Sequence, residues 1–260
     1  MGMTMPETPV KVTQQGAVTI IRLNRPLVRN AIDGITAQEL RAAWLAFNAD
    51  EDARVGILTG GDDVFCAGAD LKDIDSLNSN PTDKNGPLGY TRLTVEKPTI
   101  AAIAGHCVAG GLELALWCDL RVADESAIFG CFERRFGVPL VDGGTQRLPR
   151  VVGLGRALDM ILTGRAVEAP EALQIGLVNY LTPKGGHLEK AIELARLLAQ
   201  FPQICLRNDR KAVYMGMGRP LEEGLKIEAH LGFETIQSNE AYEGAQAFIN
   251  GQGRNGSIPG

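Results

Sequence analysis

The 260 residues contain no GxGxxG motif after a strand, no P-loop, no HExxH and no GxSxG. The usual signatures of dinucleotide binding, nucleotide hydrolysis, zinc proteolysis and serine hydrolysis are therefore missing. Histidine is scarce. His106, His187 and His230 are too few for a metal cluster, and His106 alone offers a base for a Ser-His-Asp triad. The five cysteines, Cys66, Cys107, Cys118, Cys131 and Cys205, are odd in number and form no CxxC. That excludes a disulfide scaffold and zinc-site spacing, and it fits reduced thiols in a cytoplasmic protein. No apolar run reaches the ~18 residues of a membrane span. The first ten residues have neither a basic n-region nor an apolar h-region, so no signal peptide is expected. A net charge of −5 argues against a nucleic-acid partner, which calls for a basic face.

Glycine, in contrast, is abundant. Its 31 residues are about 12% of the chain against a typical ~7%, which implies many tight turns and close backbone approaches. Hydrophobic residues at 45% and charged residues at 22% are an ordinary globular balance. The length suits one large domain, or one domain with an appendage, and allows a sizeable core.

Apolar runs alternate between strand-like and helix-like. Strands are expected at 18–23, 55–59, 99–104, 120–123 and 178–181. Helices are expected at 37–47, where Leu40, Trp44 and Phe47 share a face, and at 110–118, 153–162 and 170–175. Strands and helices in this order give an α/β class with mostly parallel pairing. The last third changes character. Leu188, Ile192, Ala195 and Leu198 form one helical stripe, and Leu221, Leu225, Ala229, Gly232, Phe233 and Ile236 form another. From Phe201 onward the pattern is helical only, and such a helix pair often packs on a partner subunit. The 76–89 stretch, rich in Asn, Pro, Asp and Gly, reads as a mobile loop, and the tail after Asn250 as flexible.

Two glycine-bounded stretches are the candidates for chemistry. One is Phe65-Cys66-Ala67-Gly68-Ala69-Asp70-Leu71-Lys72, the other Ala104-Gly105-His106-Cys107-Val108-Ala109-Gly110-Gly111-Leu112-Glu113. Each reads as a strand running into small residues and then a helix. Such turns leave N–H groups unpaired, and two facing turns make an oxyanion hole. The plainer alternative is that small residues only permit tight packing. Two carboxylates sharpen the choice. Glu113 lies in the apolar stretch Leu112 to Trp117, and Glu133 follows Phe129-Gly130-Cys131-Phe132. A pair holding one water does general acid and base work. The competing readings are an exposed Glu113 and a Glu133 paired to an arginine.

These pieces, in this order, resemble the crotonase superfamily, the enoyl-CoA hydratase/isomerase family. The resemblance runs from about Val10 to Asn250. It includes Leu23-Asn24-Arg25-Pro26 with Asn30-Ala31, the two stretches above, Phe129 to Glu133, Gly143-Gly144-Thr145-Gln146-Arg147-Leu148-Pro149 and Gly176-Leu177-Val178. It implies a right-handed spiral of ββα units over 1–200 and a helical trimerisation region over 201–260. It implies a homotrimer or homohexamer. The substrate is an acyl-CoA thioester, with no metal or redox cofactor, since coenzyme A is part of the substrate. By motif match, the N–H groups of Ala69 and Gly110 hold the thioester oxygen. Ala67, Gly68, Asp70 and Leu71, with Leu27, Val28 and Arg29, line the coenzyme. Glu113 and Glu133 fall on the family's two catalytic glutamates, which favours hydration of trans-2-enoyl-CoA.

Three departures from the family pattern stand out. Arg134-Arg135 follow the second glutamate where small or aliphatic residues are common. If close, they lower its pKa; otherwise they point away into ion pairs. Val141-Asp142 replace small residues before Gly143-Gly144. Asp142 is thus either a third acid that reads substrate or the ion-pair partner of Arg134 or Arg135. Near Phe248 the only basic residue is Arg254, which leaves little for a neighbouring subunit to offer the coenzyme. The rival functions are an enoyl-CoA isomerase or related enolate reaction using Glu133 alone or with Asp142, and a catalytically silent CoA-binding protein.

Overall fold

The computed structural model describes residues 8–77, 80 and 82–253. The expectations for the first seven residues, for part of the 76–89 loop and for Arg254 lie outside the described residues. The chain opens with a hairpin, β1 (Val10–Gln15) antiparallel to β2 (Val18–Leu23). Helix α1 (Gly34–Ala49) follows, and the Asp33 carboxylate caps it by accepting the Thr36 N–H. Lys97 closes its other end. Its Nζ donates to the carbonyls of Phe47 and Asp50, where the negative end of the helix favours a cation.

Three similar turns of chain come next, and each gives one strand to each of two sheets. They are β3 (Val55–Thr59) with β4 (Val64–Cys66), β5 (Thr99–Ile103) with β6 (His106–Val108), and β7 (Leu120–Asp124) with β8 (Ile128–Gly130). Helix α2 (Gly110–Trp117) bridges β6 and β7. Beyond β8 lie α3 (Gly144–Val152), α4 (Leu154–Thr163), β9 (Val167–Glu168), α5 (Ala169–Gln174) and β10 (Tyr180–Thr182). Helices α6 (His187–Gln200), α7 (Gln203–Gly216), α8 (Leu221–Gln237) and α9 (Glu240–Ile249) complete the described chain. The large sheet has the order β1-β2-β3-β5-β7-β10 and the small one β4-β6-β8-β9. All pairs are parallel except β1-β2 and β8-β9. This is the α/β spiral of ββα units with a helical C-terminal region that the motifs implied.

Alternation along the large sheet divides the core in two. Val18, Ile20, Val55, Ile57, Ile100, Ala102 and Val122 face α6, where Ala191, Leu194 and Ala195 cover them. Ile21, Leu23, Leu58, Ala101, Ile103 and Ala123 face the main core with α1, α2 and the small sheet. Strands buried on both faces read as continuous apolar runs, which is why β3 and β5 are evident in the sequence.

The structure also departs from the sequence reading. Strand β10 begins at Tyr180 rather than at 178, because Leu177 and Val178 are buried in the turn after α5. Helix α3 was not expected, since it starts on a glycine and contains Pro149. The short strands of the small sheet were also missed: with two or three residues each they show no period. The edge strand β1 hides too, because only Val10 of its six residues is buried. No regular helix follows the Ala69 turn. A single 3-10 turn at Ile74–Ser76 stands there instead.

Candidate active site

The two glycine-bounded turns meet. A Cβ on Gly68 would stand 2.7 Å from the Gly110 nitrogen, and one on Gly110 would stand 3.2 Å from Gly68 Cα and 3.5 Å from the Ala69 nitrogen. Only glycine lets the backbones come this close. Ala109, just before α2, is held at φ 52 and ψ −130, a conformation that L-residues rarely adopt and that clusters at functional sites. Among the described residues neither the Ala69 N–H nor the Gly110 N–H, the first of α2, has a backbone acceptor. Two unspent donors thus stand side by side, one at the positive end of a helix.

Asn30 holds the first turn in place. It is 1% exposed, and its Nδ2 donates to the carbonyls of Gly60 (2.8 Å), Val64 (3.0 Å) and Phe65 (3.1 Å). Its Oδ1 accepts the Arg25 N–H at 2.9 Å. The Asn30-Ala31 pair of the motif is therefore a clamp between the 25–30 turn and β4. Cys66 lies in the same turn, and burial pushes its thiol up to about 12, so it is no nucleophile.

A cleft of about 450 Å³ opens over the paired turns. Ala67, Ala69, Gly110, Glu113, Glu133 and Asp142 all line it. Much of the remaining wall is apolar, and Leu71, Ile74, Phe136 and Val141 are exposed at its edge. Glu113 is buried with every other residue of α2, so the exposed-position reading fails. Its Oε1 accepts the N–H of Asp142 at 2.9 Å and of Gly144 at 2.7 Å. The latter is the first residue of α3, so the carboxylate sits on a helix N-terminus. A Cβ on Gly144 would meet Glu113 Oε1 at 2.9 Å, which is the physical content of the Gly143-Gly144-Thr145 motif. Burial, then the Asp142 charge, push the Glu113 carboxyl up to about 8, against the pull of the two N–H donors.

Glu133 comes from the 3-10 turn Phe132–Phe136. It is 6% exposed, and neither carboxyl oxygen has a partner among the described residues. Burial raises its pKa, and Arg134 offsets this only in part. Arg134 and Arg135 point away, as one alternative held, but not into ion pairs among the described residues. Arg134 Nε donates to the Ile161 carbonyl, and Arg135 donates to the Gly164 carbonyl and lies 3.9 Å from the Phe132 ring centre. Asp142 is not their partner. Its Oδ1 accepts the Leu88 N–H at 3.1 Å and the Thr91 hydroxyl.

Five expected lining residues fall outside the cleft. The Asp70 carboxylate lies 3.2 Å from Arg25 and accepts the Lys72 N–H. Gly68 faces Gly110 rather than the cavity. Leu27 and Val28 are exposed on the 3-10 turn Pro26–Val28, and Arg29 touches the site only through its carbonyl, which accepts the Ala67 N–H at 3.0 Å. Conversely, sequence reasoning missed Leu88, Arg92, Phe136, Val138 and Pro139, which line the cleft. They lie in loops and a short 3-10 turn without periodicity; the apolar type of Leu88, Phe136, Val138 and Pro139 is the only signal, and Arg92 gives none.

Among the described residues no group of three His, Cys, Asp or Glu is set to hold a metal ion. No helix there is long and apolar enough to cross a membrane.

Two N–H donors beside a pair of buried carboxyls are an arrangement with the chemistry to polarise a carbonyl and to move a proton at the neighbouring carbon. The chain belongs to the enoyl-CoA hydratase/isomerase family, whose sequence model matches residues 13–253. It is 37% identical over 238 residues to the mitochondrial enoyl-CoA hydratase of Pongo abelii, covering 91% of this chain and 82% of that one. It is 34% identical over 245 residues to the short-chain-enoyl-CoA hydratase of Clostridium acetobutylicum, covering 92% and 94%. The crystal structure of an enoyl-CoA hydratase from Mycobacterium tuberculosis H37Rv superposes with a TM-score of 0.89 at 34% identity, over 94% of this chain and 96% of that one.

Proposed function

We propose that the protein is an enoyl-CoA hydratase that adds water across the double bond of trans-2-enoyl-CoA thioesters. The observation that carries the reading is one cleft lined by both Glu113 and Glu133 beside the unspent N–H groups of Ala69 and Gly110. The thioester oxygen accepts both N–H groups, and Cβ becomes electrophilic. Water between the carboxyls gives its proton to Glu113 as its oxygen bonds to Cβ. The proton of Glu133 goes to Cα, and proton exchange between the carboxyls and solvent resets the pair. Glu113, steadied by two donors at Oε1, suits the base. Glu133, with neither oxygen partnered, suits the acid. An Asp142 that keeps its own proton removes one push on the Glu113 pKa and leaves that base ionised more readily.

Hydration neither oxidises nor reduces the thioester, so the reaction needs no redox cofactor, and the two N–H donors polarise the thioester where a Lewis-acid metal would otherwise do so. Ala67 and Leu71 line the pantetheine arm, and the 27–29 turn lies outside the cleft, joined to it through the Arg29 carbonyl and the Ala67 N–H. The rival isomerase needs Glu133, alone or with Asp142, and has no use for Glu113. A silent CoA-binding protein has no use for two buried carboxyls, each of which costs stability unless it is functional. Five free cysteines, four of them buried, fit a cytoplasmic setting.

The test follows loss of the conjugated enoyl-thioester absorbance with short and long trans-2-enoyl-CoA. Glu133→Gln and Glu113→Gln are each expected to lower kcat by ~10²–10⁴-fold. Wild-type rates in both variants would refute the two-carboxylate mechanism. A wild type that binds the esters without hydrating them would favour the isomerase or the silent binding protein, and double-bond migration in a 3-enoyl-CoA separates those two.

A further inference from the structure

Hydration employs two carboxyls, and the cleft contains a third. Asp142 is 2% exposed and lines the same cavity as Glu113 and Glu133. One oxygen, Oδ1, is spent on the Leu88 N–H and the Thr91 hydroxyl. That tie fastens the 86–91 loop to the segment whose N–H groups hold Glu113. The other oxygen, Oδ2, has no protein partner among the described residues. Arg147 donates to the carbonyls of Asp142 and Thr91, and Arg92 donates to those of Val141 and Asp83. Leu88, Val138, Pro139 and Val141 are among its neighbours in the wall. A saturated hydrocarbon chain laid along this wall would strip water from Oδ2 and return no hydrogen bond, which is costly for a buried polar atom.

We propose that Asp142 is a specificity-determining residue and that the preferred substrates are 2-enoyl-CoA thioesters with a hydroxyl on the acyl chain beyond Cβ. This rests on the hydratase reading of the same cleft. The backbone N–H of Asp142 touches Glu113 Oε1, so the carboxyl stands next to the group that serves Cβ and meets chain atoms further out. A hydroxyl both donates and accepts. It therefore pairs with Oδ2 whether Asp142 is ionised or, as its burial favours, protonated. A keto group or an ammonium would pair with only one of those forms. A site built to bond a hydroxyl also rejects the analogue that lacks it, because its own polar atom is left bare.

The experiment compares trans-2-hexenoyl-CoA with its 4-hydroxy and 5-hydroxy derivatives. Values of kcat/KM are measured for wild type, Asp142→Asn and Asp142→Ala, and dissociation constants for the same esters are measured on Glu133→Gln. Wild type is expected to favour one hydroxylated ester by about tenfold to a hundredfold. Asp142→Asn keeps both the Oδ1 tie and a hydrogen-bonding group at Oδ2, and is expected to retain the preference within a few-fold. Asp142→Ala is expected to abolish or reverse it. A merely structural Asp142 would lower the rates for all three esters together and leave their ratio unchanged, which overturns the proposal. So does a wild type that treats the esters alike or prefers the plain one. Binding that discriminates without turnover of any ester would sink the hydratase reading and leave the specificity assignment standing.

Discussion

Glu113 is a carboxyl kept out of water and given only two N–H donors in exchange. Its pKa lies near 8 in the folded chain against 4.5 for the free side chain. Between those values the native state holds more protons than the unfolded one, so this group's contribution to stability falls as pH rises through that window. Glu113→Gln removes the ionisation but keeps an oxygen for the N–H groups of Asp142 and Gly144. Its Tm is expected to gain on wild type from pH 4.5 to pH 8, by several degrees at about 2–4 °C per kcal/mol. Thermal melts across that range check it, and a gap that does not change with pH would mean that Glu113 is ionised throughout. Gly68→Ala probes the turn itself. The added methyl meets the Gly110 nitrogen in a backbone of φ +94, so both donors shift. A loss of kcat by about 10²–10³ is expected, with the fold kept.

At the scale of elements, the clamp at Asn30 does the joining. Three carbonyls of the β3–β4 connection depend on one amide group. Asn30→Ala leaves them without it in a place that water does not enter, and a loss of about 2–3 kcal/mol is expected in urea unfolding. Activity should fall with it, because the freed segment ends in the Ala69 turn. The elements themselves were legible to different degrees. Strands β2 and β3 and helices α1, α2, α6 and α8 show in the sequence because each carries its own apolar run or stripe. Residue Glu133 was legible as a candidate, yet its surroundings were not, since Arg134 and Arg135 could have turned either way. They turn to the carbonyls of Ile161 and Gly164, and the placement of α4 decides that. The same holds for Asp142, whose partners Leu88 and Thr91 lie more than fifty residues away.

At the scale of the molecule, the C-terminal helices stand apart from the core. Neither α7 nor α9 has a buried residue, and α8 has only Leu231. Arg210 and Tyr214 tie α7 to Asp119, and Glu240 caps its N-terminus through the N–H groups of Ile204 and Cys205. The stripe read from the sequence faces outward, with Leu225 at 50%, Phe233 at 58% and Ile236 at 69% exposure. An apolar face of this kind asks for cover, and we propose that copies of this chain supply it in a trimer or hexamer. Phe233→Glu combined with Leu225→Glu is expected to lower the sedimenting mass while far-ultraviolet dichroism stays unchanged. A wild type that sediments as a monomer would remove assembly as the use of this face.

The sequence by itself determined the parts that depend on neighbours along the chain. These are the order of the longer strands and helices that carry their own apolar runs, the buried run around Glu113, the glycines that permit two tight turns and the apolar stripe of α8. Only the tertiary structure decided which groups meet. The Ala69 and Gly110 turns belong to successive windings of the spiral, and parallel pairing of β4 with β6 sets their contact. The N-terminus of α3 comes to Glu113 across some thirty residues, and Asp70 is drawn to Arg25 and away from the cleft. Hydrogen bonds and burial act through space over a few ångströms, whereas motif spacing measures only distance along the chain.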